Sequence, residues 1–313
     1  MIRAQDFLLL AVTFPTIALA VLFPRFGSFF RAFPLYCMMA LLFLSFLSIP
    51  VKSIWRIAQS SRRLVGYLLF VKLILLPVSV YFLFHWLFPT HALAALLISA
   101  ISPGVTGPFF SEMLLANTSL VTVGMVTGSL LVPVTLPALV KVLAGHSVQL
   151  PFATMANILG MVVFVPFVLA EILKRSSPRL AEKLIDKRFS ISLLLFATTN
   201  FGVFSKYSVY FRQQPSMVWV AFLVTVVLAG IFFVAGIAFS WKLALPEQLA
   251  MIISLSQVNN VLVLVFSAQL FGPIEPMVAA LYSIMFFSLL LPIRGYQRWW
   301  LTEAGKRKAA SRG

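Results

Sequence analysis

Two interruptions carry the polar chemistry of this sequence. The first, Ile101-Ser102-Pro103-Gly104-Val105-Thr106-Gly107-Pro108, sets two prolines and two glycines inside a long apolar run. Proline removes a backbone donor and glycine favours non-helical backbone, so a helix breaks here. The second, Ser254-Leu255-Ser256-Gln257-Val258-Asn259-Asn260, places five hydroxyl or amide side chains within seven residues, roughly half a chain later. A half-helix restarting near Val105 presents free backbone N–H groups and the positive end of its dipole, which together favour an anion. Thr106 is placed to cap that half-helix, and Pro108 suits a first turn. The second stretch has two readings: its amides and hydroxyls bind a small solute, or they only mend broken backbone and glue helices. Two breaks in corresponding places favour the binding site, built from Gly104, Val105, Thr106, Asn259 and Asn260.

Lys72 is a third point of chemistry. It lies in an apolar run, five residues before Pro77 and far from either end. A lysine at mid-membrane depth costs several kcal/mol, about 2.5–3.5 on insertion scales, so it is expected to have a partner and a function. The competing reading is a snorkelling side chain that reaches the headgroups. Glu112 is the acid at comparable depth, and a Lys72–Glu112 pairing is the expectation drawn from it.

The elements that position these residues are membrane helices. The chain has 313 residues, 61% hydrophobic and 10% charged, where a soluble domain carries about a quarter charged. About twenty apolar residues span the hydrocarbon core. By that measure there are about ten segments: 7–24, 34–50, 64–88, 92–115, 118–144, 151–173, 189–211, 216–241, 247–271 and 276–296. Arg3, an apolar run and Ala18-Leu19-Ala20 loosely mimic a signal peptide, but Asp6 spoils its basic head, and its removal would leave unequal halves. The lone Cys37 excludes an intrachain disulfide, and the three histidines are too scattered for a metal site.

The net charge of +16 marks cytoplasmic loops rather than nucleic-acid binding. With both termini inside, 18 of the 24 Lys and Arg residues face the cytoplasm and 5 the far side, with Lys72 within the third span. The halves then divide near Gly145-His146-Ser147, as 1–147 and 148–296, each with its fourth segment broken. An odd number of spans per half inserts the two copies upside down, so the breaks meet near the midplane. Residues 297–313 form a basic tail suited to anionic lipid, after an interfacial belt of Tyr296, Trp299 and Trp300.

At these residues the chain resembles the bile acid:sodium symporter family, of the wider bile/arsenite/riboflavin transporter superfamily. Pro103-Gly104-Val105-Thr106 resembles its Pro-Gly-Gly-Thr crossing in the fourth helix. Asn117 through Pro137, with Ser129-Leu130-Leu131-Val132-Pro133 inside it, resembles the fifth. Ser256-Gln257-Val258-Asn259-Asn260-Val261-Leu262 is similar to the ninth-helix Gly-Met-Gln-Asn-Ser-Gly-Leu. The likeness runs weakly from about residue 7 to 296. It implies an all-α membrane protein of ten helices in two inverted five-helix repeats, with helices 4 and 9 broken and crossing. It also implies a panel domain (helices 1, 2, 6, 7), a core domain (helices 3, 4, 5, 8, 9, 10) and sodium-driven uptake of organic anions, with substrate near Thr106 and Asn259.

The departures from the family pattern fall on its sodium ligands. Where the family carries a Ser and an Asn after the threonine, Pro108 and Phe109 stand here, without side-chain oxygen. The ninth-helix glutamate falls on Ser254, and the following glutamine on Val258 or, displaced, on Gln257. Thr122 keeps a hydroxyl, but the next ligand place holds Val126. The third-helix glutamine aligns with Lys72. Phe286 and Phe287 replace polar tenth-helix residues, which suits a more apolar or smaller substrate. An ammonium at Lys72 supplies the charge of a cation and repels one. The expectation is a carrier of a small organic anion without sodium: facilitated, exchanging or proton-linked. A conventional sodium symporter and a non-transporting sensor or subunit of the same fold are the rivals. No nucleotide loop, catalytic triad or cofactor motif is present, so no enzyme, cofactor, resident metal or nucleic-acid partner is expected. Direction of transport and oligomeric state have no signature in the sequence.

Overall fold

The computed structural model describes residues 12, 15–49, 59, 61–145 and 151–310, with backbone alone at Phe286, Phe287 and 303–310. The charges at Arg3, Asp6, Lys52 and Arg56, the start of the first span, the repeat boundary at 147 and the side chains of Phe286 and Phe287 lie outside the described residues.

Regular structure among the described residues is helical. Residues 15–22 are helical, and fifteen further α-helices follow, with short 3-10 helices at Phe29–Ala32 and Pro89–His91: α1 (Pro24–Ser28), α2 (Pro34–Leu47), α3 (Arg62–Leu87), α4 (Ala92–Ala100), α5 (Gly107–Met113), α6 (Thr118–Ala144), α7 (Phe152–Ser176), α8 (Pro178–Asp186), α9 (Arg188–Lys206), α10 (Ser208–Gln213), α11 (Pro215–Ser240), α12 (Leu245–Ser256), α13 (Asn260–Leu270), α14 (Ile274–Ser288) and α15 (Leu290–Ala310). Proline opens several of them, at Pro24, Pro34, Pro178 and Pro215, where its missing N–H has no partner to lose.

Among the described residues, α3, α6, α7 and α11 are each long and apolar enough to cross a membrane. The count rises to six if two bent pairs each form one span: Pro24–Ala32 with α2, bent by 61°, and Ile274–Met285 with Leu290–Thr302, bent by 46°. The protein is therefore an all-helical, multi-pass membrane protein.

Contacts divide the helices into two groups. The first is α2 packed between α7 and α9, with α1 against α9. The second contains α3, α4, α11, α12 and α14, with α5 and α12 on α6. α7 packs extensively on α6, and α13 packs mainly on α14 with lesser contacts to α2, α7 and α9, so the two groups are joined at both places. The first group is held at one end by Lys174, whose Nζ donates to the Phe46 carbonyl in the last turn of α2 and the Ile49 carbonyl just beyond it, and pairs with Glu171. A cation there complements the negative end of the helix dipole.

Inside α3, Val71–Leu75 forms a π-helical turn that contains Lys72. The widened turn directly precedes Pro77, whose ring would clash with the carbonyl four residues back in a regular helix. Sequence reasoning expected a plain helix over 64–88.

Candidate functional site

The two broken segments meet and repair each other. α4 ends at Ala100 and α5 begins at Gly107; α12 ends at Ser256 and α13 begins at Asn260. Between them Pro103 and Val258 form an antiparallel bridge. The Gly104 N–H donates to the Gln257 carbonyl at 2.5 Å, and the Asn259 N–H donates to the Ser102 carbonyl at 3.0 Å. Backbone groups that the breaks would leave unpaired in an apolar interior are thus satisfied across the crossing.

Gly104 is required by this approach. A Cβ there would lie 2.6 Å from the Val258 carbonyl oxygen, closer than real Cβ atoms approach backbone. The Ser102 hydroxyl is joined to Ser129 Oγ of α6 at 2.9 Å, and Ser129 Oγ to the Met125 carbonyl.

Four of the last five carbonyls of α12 find donors from different sources. Ile252 accepts from Ser256 Oγ at 2.6 Å and Ile253 from the Gln257 N–H at 2.8 Å. Leu255 accepts from Lys72 Nζ at 3.1 Å, and Ser256 from the Tyr282 hydroxyl at 2.8 Å. Lys72 is fully buried. Its Nζ also lies 5.3 Å from the centre of the Phe232 ring, which packs in turn on Tyr282. An ammonium on the C-terminal end of a half-helix sits where the dipole is negative, and the ring face adds a second attraction.

Several expectations need correction. Glu112 is exposed, and the hydrogen-bond partner of Lys72 is the Leu255 carbonyl, a backbone group released by the second break. The half-helix after the first break starts at Gly107, not near Val105, and Thr106 makes no side-chain cap. The caps are asparagines: Asn259 Oδ1 accepts from Leu262 N at 3.4 Å at the start of α13, and Asn117 does the same for α6 at 3.0 Å. The second break is narrower than 254–260, because Ser254 and Ser256 remain helical. The Thr122 hydroxyl donates to the Thr118 carbonyl at 2.8 Å within its own helix.

Three buried polar atoms on the second segment have no hydrogen-bond partner among the described residues: Ser254 Oγ, Asn259 Nδ2 and Asn260 Oδ1. The Asn260 amide donates to Ser283 Oγ at 2.7 Å. Unpartnered atoms in so enclosed a place are where a ligand or water makes its contacts. Val105, on the shoulder of the crossing, is 45% exposed. Pro108 and Phe109 are half-buried in the first turn of α5.

The structure therefore brings Lys72, Gly104, Gln257, Asn259 and Asn260 into one connected arrangement. It leaves Thr122 without a hydrogen bond to it. Sequence reasoning missed Tyr282, Ser283 and Phe232, and it named Ser129 only within the fifth-helix likeness, with no role. A fully buried tyrosine in an apolar span is the one signal available, since its hydroxyl must find an acceptor.

Replacing Gly104 by alanine is expected to push the two segments apart and destabilise the protein by about 1–3 kcal/mol. A lowered thermal unfolding midpoint of the detergent-purified variant shows this. An unchanged midpoint contradicts the close approach.

Comparison with known proteins adds a family. A model described as the Sodium Bile acid symporter family matches residues 34–214. This range takes in the first broken segment and Lys72, while the second broken segment lies beyond it. No curated protein matches the chain. With more than half of its length matched, and with its apolar helices, this chain belongs to the sodium bile acid symporter family.

Proposed function

We propose that the protein is a secondary transporter that moves a small organic anion by alternating access, without sodium, and that the Lys72 ammonium takes the place of a sodium ion. The reading includes ten spans in two inverted five-helix repeats with both termini cytoplasmic. One observation carries it: Lys72 Nζ rests on the Leu255 carbonyl, at the C-terminal end of a half-helix. Half-helix ends and unwound carbonyls are the groups that hold coupling cations in broken-helix transporters. A fixed positive charge there satisfies the carbonyl and opposes entry of a second cation.

The residues at the family's sodium positions support the same reading. Pro108, Phe109 and Val126 offer no side-chain oxygen, and the Thr122 hydroxyl already serves a backbone carbonyl. Ser254 and Gln257 keep side-chain oxygens there, but neither is charged, and a hard cation takes several oxygen ligands, which this set does not supply. Ser254 Oγ, Asn259 Nδ2 and Asn260 Oδ1 are the candidate substrate contacts, with Gly104, Val105 and Thr106 on the opposing segment. Asn259 Nδ2 is a donor at the positive end of α13, suited to a carboxylate or sulfonate.

The test is uptake by purified protein in liposomes, across a panel of carboxylates and sulfonates, with a sodium or a choline gradient. The reading predicts equal rates; several-fold stimulation by sodium favours a conventional symporter. Lys72→Gln is expected to lower sodium-free uptake about tenfold or more, since a hydrogen bond from a charged donor contributes about 1.5–3 kcal/mol. Uptake unchanged by that substitution removes Lys72 from transport.

A further inference from the structure

A second lysine caps the other half of the same broken segment, and it does so from the opposite helix group. Lys206 Nζ, at the end of α9, donates to the Ala268 carbonyl of α13 at 2.6 Å. The hydroxyl of the next residue, Tyr207, lies 3.1 Å from the same carbonyl and 3.3 Å from that of Phe271. The Lys206 amine also sits 5.1 Å from the centre of the Tyr207 ring. Ala268 and Phe271 stand at the C-terminal end of α13, where carbonyls lack helical partners and the dipole favours a cation.

We propose that Lys206 and Tyr207 form a latch that joins the α9 group to the far end of α13, closes that side of the crossing, and opens in each transport cycle. The proposal rests on the alternating-access reading above and adds to it which contact must break. α9 packs on α1 and α2, and its contact with α13 is small, so these hydrogen bonds are a large part of what ties α9 itself to the end of α13. α13 runs directly from Asn259 and Asn260, so its far end is mechanically continuous with the candidate site. Burial is uneven about the crossing: α13 is buried from 262 to 268 and opens at its last two residues, Gln269 and Leu270, while Val105 beside α5 is exposed. The described state is thus shut on the α13 side.

The two lysines differ in a way that suits two jobs. Lys72 is fully buried, so releasing its carbonyl would strand a charge in an apolar interior. Lys206 is exposed, so water can take over its hydrogen bonds when the latch opens. The first contact is permanent and the second reversible.

Labelling by a membrane-impermeant maleimide tests this without substrate. Ser267→Cys, in a Cys37→Ser background, places a thiol at a fully buried position beside Ala268. Ala170→Cys, equally buried in α7, reports general loosening. Combining Lys206→Met with Tyr207→Phe keeps side-chain bulk and removes the hydrogen bonds. The expected result is an increase of about tenfold in the labelling rate at position 267, with the rate at position 170 unchanged. An unchanged rate at 267 overturns the latch, and so does a parallel rise at both positions. Because labelling requires no flux, a protein that fails to transport can still show the latch, and a transporter can lack it.

Discussion

Backbone amides left unpaired in an apolar interior cost several kcal/mol each, about 4–8 kcal/mol in a solvent without partners. That constraint organises this molecule. Two chain segments stop being helical in the middle of the bundle, and each supplies what the other lacks. The Gly104 N–H meets the Gln257 carbonyl, and the Asn259 N–H meets the Ser102 carbonyl. Only two such bonds fit, because Pro103 has no donor and the segments diverge into helices on either side. The remaining orphan groups must recruit side chains from other helices, and that demand fixes Lys72 and Tyr282 around the crossing.

One device recurs at helix ends. Lys174 closes the end of α2, Lys72 the end of α12, and Lys206 the end of α13. In each case a cation from one helix meets carbonyls of another, so a local capping need becomes a tertiary contact. Burial then decides the character of each contact. The enclosed ammonium of Lys72 belongs to the framework of the site, while the exposed amine of Lys206 lies at a seam between helix groups. In the proposed mechanism this difference separates the part that binds from the part that moves.

Much of this was visible in the sequence. Pro103 and Gly104 break a helix through their own backbone chemistry and Pro108 suits the first turn of the next one, so the first interruption follows from residue type alone. A lysine far from either end of an apolar run similarly announces a partner. What the sequence hid was the identity of that partner, because a backbone carbonyl leaves no trace in residue types; the acid at Glu112 drew attention instead. The cap at Asn259 was likewise obscured, since five polar residues within 254–260 gave no sign of which would end the helix and which would stay in it. The π turn at Lys72 has no distinct pattern, as it differs from a regular helix by one residue of register. Tyr282 and Ser283 lie in a span whose other residues are mostly apolar, and the packing of α14 on α11 and α13 brings them to the crossing.

The central claim is that a tethered ammonium does the work of a metal ion at the end of α12. Its most direct test is equilibrium stability of the purified protein in sodium chloride against choline chloride, at matched ionic strength. A specifically bound ion at one hundred times its dissociation constant would add about 2.7 kcal/mol. The account predicts coincident unfolding midpoints in the two salts across the titration. A midpoint that rises with sodium alone, and saturates, would show that a metal ion binds here after all.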